Sequence, residues 1–121
     1  MRYFLFLFVI FSCYKVEKNC DDFRTGTFEF SSIVNGEIKK SKFVRSETLE
    51  IEFYDNKIDS AAVKWVNNCE FILTKINPTS NQDKRPVKIQ ILSTNTKEYF
   101  FEYSLVNNPE KRFRGKAIKV K

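Results

Sequence analysis

The chain has 121 residues, 42% of them hydrophobic and 30% charged, with Lys and Arg exceeding Asp and Glu by 21 to 15. This suits one globular domain, and three Gly and three Pro exclude collagen-like and Pro-rich character. The absence of His removes a Ser-His-Asp triad, a Cys-His dyad, His-ligated zinc and a His general base.

Residues 1–12 read as a signal rather than as part of the fold. Arg2 precedes an unbroken apolar run over 4–11. Eight helical residues rise about 12 Å against a bilayer core of roughly 30 Å, so the run has the length of a secretory signal core. Ile10-Phe11-Ser12-Cys13 follows. An aliphatic residue three before a Cys, with a small residue just before it, resembles the lipobox of bacterial lipoproteins. That resemblance implies cleavage between Ser12 and Cys13 and lipidation of Cys13. Two or three acyl chains, at about 0.8 kcal/mol per buried CH₂, make a stable anchor. Residues 13–22 are then a lipidated tether and residues 23–121 a single domain. The alternatives are plain secretion and a buried first strand.

The domain reads as consecutive short strands. Residues 27–34 place Phe28 and Phe30 on one face, and Asn35-Gly36 is the strongest two-residue hairpin signal because both positions accept positive φ. Residues 37–45 return. Residues 47–54 alternate, with Leu49, Ile51 and Phe53 expected inward and Thr48, Glu50 and Glu52 outward. Asp55-Asn56-Lys57 turns the chain, and residues 58–66 align Ala61, Val63 and Trp65. Asn67-Asn68 turns again. Residues 69–76 align Cys69, Phe71 and Leu73, and the polar stretch 77–86 is the longest loop. Residues 87–92 set Val87, Ile89 and Ile91 against Lys88 and Gln90. Residues 97–106 set Tyr99, Phe101 and Tyr103 against Phe100 and Glu102. After Asn107-Asn108-Pro109, residues 112–121 close the chain, with Gly115 as a bulge.

These are eight strands, and no helix-length window holds a 3.6 period better than a 2 period. Turn signals every 10 to 12 residues or so point to a barrel or sandwich. Hairpin-length connections favour an all-β, eight-stranded antiparallel up-and-down barrel, which abolishes edges and leaves room for side chains or one small ligand.

Loss of residues 1–12 takes away Arg2 and lowers the net charge from +6 by one. For a secreted lipoprotein, anionic headgroups or acidic glycans are more available to a basic surface than nucleic acid. With Cys13 lipidated, Cys20 and Cys69 remain in an oxidising compartment. A bridge between them is expected, pinning the tether to the middle of the domain; the alternative is two separate buried thiols.

Three segments carry a resemblance: Phe23-Arg24-Thr25-Gly26-Thr27-Phe28 after a Cys, Arg45-Ser46-Glu47-Thr48, and Trp65 through Leu73. Together they resemble a group of small Bacteroidetes-type lipoproteins that are similar to lipocalins. Gly26-Thr27-Phe28 resembles the lipocalin Gly-x-Trp of the first strand, with Phe in place of Trp. The resemblance implies a basic residue on the last strand, Arg112 or Arg114, over that aromatic ring.

The expected inward aromatic set is Phe28, Phe30, Phe53, Trp65, Phe71, Tyr99, Phe101 and Tyr103. It lines either a cavity of roughly 300 Å³ or more, with Tyr hydroxyls fixing a ligand's polar end, or an ordinary filled core. Arg112, Arg114 and Lys116 share one face as a candidate basic patch. With Phe100 and Phe113 they form a basic-plus-aromatic pattern, for which a solvated outer face is the plainer reading. Outward Glu50 and Glu52 read as solvated surface.

The chain is therefore expected to be a non-enzymatic lipoprotein of the cell envelope, lipid-anchored to the outer membrane and monomeric. It would bind a small apolar or amphipathic ligand without cofactor or metal. The alternative is a filled barrel acting on an envelope protein through its outer surface and basic C-terminal edge. No nucleic acid partner is expected.

Overall fold

The computed structural model of the chain describes residues 18–34, 36–78, 80 and 84–121, with the backbone alone at 32–34. The signal run, Cys13 and the turn residue Asn35 lie outside the described residues. A 3-10 turn, Cys20–Phe23, precedes eight strands: β1 Gly26–Val34, β2 Glu37–Arg45, β3 Leu49–Tyr54, β4 Lys57–Asn67, β5 Glu70–Lys75, β6 Val87–Thr94, β7 Glu98–Leu105 and β8 Asn108–Lys119.

Each strand pairs antiparallel with its sequence neighbour, and β1 pairs with β8 to close an up-and-down barrel. The short connections force this order. Val34 pairs Glu37 across a two-residue connection in which Gly36 has φ +79°. Tyr54 pairs Lys57 across Asp55 and Asn56, both at positive φ, as a type I′ hairpin requires. Asn67 Oδ1 accepts the Cys69 N–H at 2.9 Å and shapes the β4–β5 turn. The register shifts by one extra residue on β4 between Trp65 and Asn67 and on β6 between Ile91 and Ser93, and by a longer stretch of β8 between Asn108 and Phe113.

Gly115 is not a bulge. It pairs in register with Phe101, and a Cβ there would lie 2.7 Å from the Phe30 ring and 2.8 Å from the Phe101 ring. It is glycine because two aromatic rings occupy its side-chain space.

One end of the barrel is plugged. The 3-10 turn lies across it with Phe23 fully buried against Phe28 and Tyr99. Lys119 Nζ donates to the Asp22 carbonyl at 2.6 Å, and the Asn19 N–H donates to Thr94 Oγ1 at 2.7 Å. A Cys20–Cys69 disulfide bonds the plug to the β4–β5 turn, as the sequence led us to expect. The core sits at this end: Cys20, Phe23, Phe28, Phe43, Ile91, Tyr99, Phe101 and Ala117. The other end carries the β1–β2, β3–β4 and β7–β8 turns and the β5–β6 loop. The closing β1–β8 ladder pairs Phe28 to Phe30 with Lys119 to Ala117 near the plug, where the Thr27 N–H also donates to the Lys121 carbonyl at 3.0 Å and the Val120 N–H to the Thr27 carbonyl at 2.8 Å.

Strand β3 faces the opposite way to the expectation. Glu52 pairs Phe43, and Glu50 pairs Arg45. Directly paired residues share a face, and Phe43 and Arg45 point into the barrel, so both glutamates point inward. Phe53 faces out with 42% exposure, beside outward Ile58. With a side-chain period of two, the register against β2 decides the face for the whole strand.

Candidate functional site: the barrel interior

The floor of the interior is built around Arg45, which is 2% exposed. Its phase on β2 places it inside, one pleat below Phe43. Its guanidinium carbon lies 4.6 Å from the ring centroids of both Phe28 and Phe71. Nη2 donates to the Phe23 carbonyl at 2.6 Å and Nε to the Arg24 carbonyl at 3.2 Å, which holds the plug. Nη1 donates to Glu50 Oε1 at 3.0 Å and to Tyr99 Oη at 3.2 Å. A buried cation is tolerated only when paired and hydrogen-bonded, and Arg45 is both.

Arg45 therefore takes the position that the family resemblance assigned to Arg112 or Arg114. Those two residues face solvent from β8. Arg112 lies 3.4 Å and Arg114 3.7 Å from the Glu102 carboxylate, and Lys116 lies 3.6 Å from Glu98. The candidate basic patch is thus an outer face with its charge balanced by β7. Phe100 is outward, whereas Phe113 lies on the inner face and stacks on Tyr103 at 5.5 Å. The two rings occupy opposite faces and form no common stacking platform.

Above the floor lies a cavity of about 240 Å³, lined by Phe30, Phe43, Tyr99, Phe101, Tyr103 and Ile89, with Arg45, Glu50, Glu52, Leu73 and Val87 completing the wall. A second lobe of about 240 Å³ shares Glu50, Glu52, Leu73 and Val87 and adds Asp59, Ala61, Lys75, Arg85 and Leu105. The aromatic lobe alone falls short of the roughly 300 Å³ that separates a ligand cavity from a filled core, and only the two lobes together, which share Glu50, Glu52, Leu73 and Val87, offer a ligand more room.

Of the expected aromatic set, Phe30, Tyr99, Phe101 and Tyr103 line the cavity. Phe28 and Phe71 are fully buried and form the floor with Arg45. Trp65 packs beside them, 4.6 Å from Phe71, with the Arg24 guanidinium 4.6 Å from its ring and its buried indole N–H without a partner among the described residues. Phe53 is outside the barrel and lines nothing in it.

The interior charges are what the sequence reading missed. Burial pushes the Glu50 carboxyl above its ordinary range, while the charge and hydrogen bond of Arg45 pull against that shift. Glu52 is also pushed up, by burial and then by the Asp59 charge, with Lys75 opposing. Lys75 Nζ lies 3.8 Å from Asp59 Oδ2. Burial raises the Tyr99 hydroxyl as well. Among the described residues, no group of His, Cys, Asp or Glu is arranged to hold a metal ion. The available signal was the phase of Arg45 with Phe43. It placed one charge inside β2 and called for a carboxylate on the neighbouring strand.

Compared with known proteins, the chain matches no family model, no curated protein and no solved structure.

Proposed function

We propose that this protein is a membrane-anchored, non-enzymatic lipoprotein of the cell envelope that carries a small amphipathic ligand inside its barrel. The observation that carries the reading is the two-lobed cavity, aromatic above the Arg45 floor and charged toward the open end. Carrier sites are concave and mostly apolar, with a few placed polar groups, and this interior fits that description. The titratable groups nearest the floor, Glu50 and Tyr99, are bound to Arg45, which leaves them poor candidates for acid–base chemistry. The anchor rests on the apolar run over 4–11 and the Ile10-Phe11-Ser12-Cys13 motif. Loss of membrane association in Cys13→Ala is the expected result for that part.

The ligand part is tested by native mass spectrometry of mature protein purified gently from its own host, together with calorimetric titration with straight-chain alcohols of increasing length. A discrete added mass lost on denaturation, and saturable binding with a negative heat-capacity change, are expected. Leu73→Trp, which fills the wall common to both lobes, should abolish that binding. A bare protein that binds no member of the series refutes the carrier. It would favour the second reading, an envelope interaction protein using the outward apolar strip of Val44, Phe53 and Ile58.

A further inference from the structure

We infer that the cavity selects a ligand with a protonated amine head and an apolar tail, the amine seated on Glu52 and the tail laid along Phe30, Phe101 and Tyr103. This deepens the carrier reading and rests on it.

The argument begins with the charge pairing of the inner wall. Arg45 is matched by Glu50 at 3.0 Å, and Lys75 lies 3.8 Å from Asp59. Arg85 lines the outer lobe and has its own interaction. Among the described residues, Glu52 is the remaining charge that lines the two lobes. It is half-buried, it lines both lobes, and among the described residues it makes no hydrogen bond or ion pair. The charges acting on it are Asp59, which repels its ionised form, and Lys75, which favours it. A carboxylate removed from water beside another carboxylate gains most from a cation that brings its own hydrogen-bond donors.

The rest of the wall selects the tail. Phe30, Phe101 and Tyr103 form one continuous aromatic run, with ring centroids 5.7 Å and 5.9 Å apart. Gly115 lets the first two rings close against β8. An alkyl chain on this wall reaches Glu52 with its head at the junction of the lobes. An acid head at the same depth would face Glu52 and compete with Asp59 for Lys75, so fatty acids are disfavoured.

The test is calorimetric titration of the purified protein with decylamine, decanol and decanoate, using the unsubstituted chain, Glu52→Gln and Lys75→Met. Decylamine should bind about tenfold or more tighter than decanol, the factor that one charge-assisted hydrogen bond supplies, and decanoate should bind weakest. Glu52→Gln should erase the amine preference, so that decylamine and decanol bind that variant about equally, and Lys75→Met should strengthen amine binding. Decanol binding without an amine preference, or a preference that survives Glu52→Gln, overturns the inference and leaves the carrier standing. Decanoate binding tightest, and lost in Lys75→Met, overturns it in favour of an acid-binding site. If none of the three binds, the carrier reading falls and this inference falls with it.

Discussion

Replacing Arg45 with Met keeps an unbranched apolar stem between Phe28 and Phe71 and removes only the guanidinium. The change leaves the Phe23 and Arg24 carbonyls, the Tyr99 hydroxyl and the Glu50 carboxylate without their donor. Removing one member of a buried ion pair costs about 3–5 kcal/mol, mainly because the other charge is stranded. A domain of this size has about 5–15 kcal/mol in total, so Arg45→Met should remain folded but be strongly weakened. At roughly 4–8 °C per kcal/mol, a loss of about 3 kcal/mol lowers Tm by roughly 12–24 °C. Urea unfolding, followed by far-UV circular dichroism, measures it.

The pH dependence identifies the cause. Without Arg45, nothing offsets the burial that already raises the Glu50 pKa. The folded state then binds a proton more tightly than the unfolded state. Stability therefore rises as pH falls through the folded pKa toward the ordinary carboxyl value of 4.5, and the deficit of Arg45→Met should shrink over that range. Adding Glu50→Gln should recover part of the loss at pH 7. A deficit below about 1 kcal/mol, or one that neither acid nor Glu50→Gln reduces, would refute the stranded-charge reasoning.

Replacing both Cys20 and Cys69 with Ser opens a loop with a sequence separation of 49, which should cost up to about 4 kcal/mol in denaturant unfolding and release the plug. Gly115→Ala forces a methyl group to within 2.7 Å of Phe30 and 2.8 Å of Phe101, an overpacking that should cost about 1–3 kcal/mol and weaken decanol binding. For Glu52, whose pKa is raised on folding, stability should fall as pH climbs above about 4.5; Glu52→Gln should flatten that decline and be no less stable at pH 7. A steeper decline in the variant would contradict the placement of the carboxylate.

The local parts of this fold were legible in the sequence. Turn chemistry at Asp55-Asn56 and Asn67-Asn68 and the period-2 runs place eight strands with ends correct to within a few residues. The Cys20–Cys69 bond that holds the plug was expected only on the reading that sets Cys13 apart from the domain. On β7, Tyr99, Phe101 and Tyr103 face in as their alternation suggests, because one face there is far more apolar than the other.

On β3 the same reasoning points the wrong way. Alternation shows that the two faces of a strand differ, but the pairing across the sheet decides which one is inside. Arg45 enters the floor through its phase on β2, and a buried guanidinium requires an inward carboxylate on its neighbour. That requirement, met through the Arg45↔Glu50 register, turns Glu50 and Glu52 into the cavity and puts Phe53 in solvent. The sequence by itself determined the strands and the turns, which depend on backbone conformation and residue type; it offered the disulfide beside two separate thiols, and the structure decided for the bond. Only the tertiary structure decided the charge inside the barrel, because that depends on which residues meet across strands.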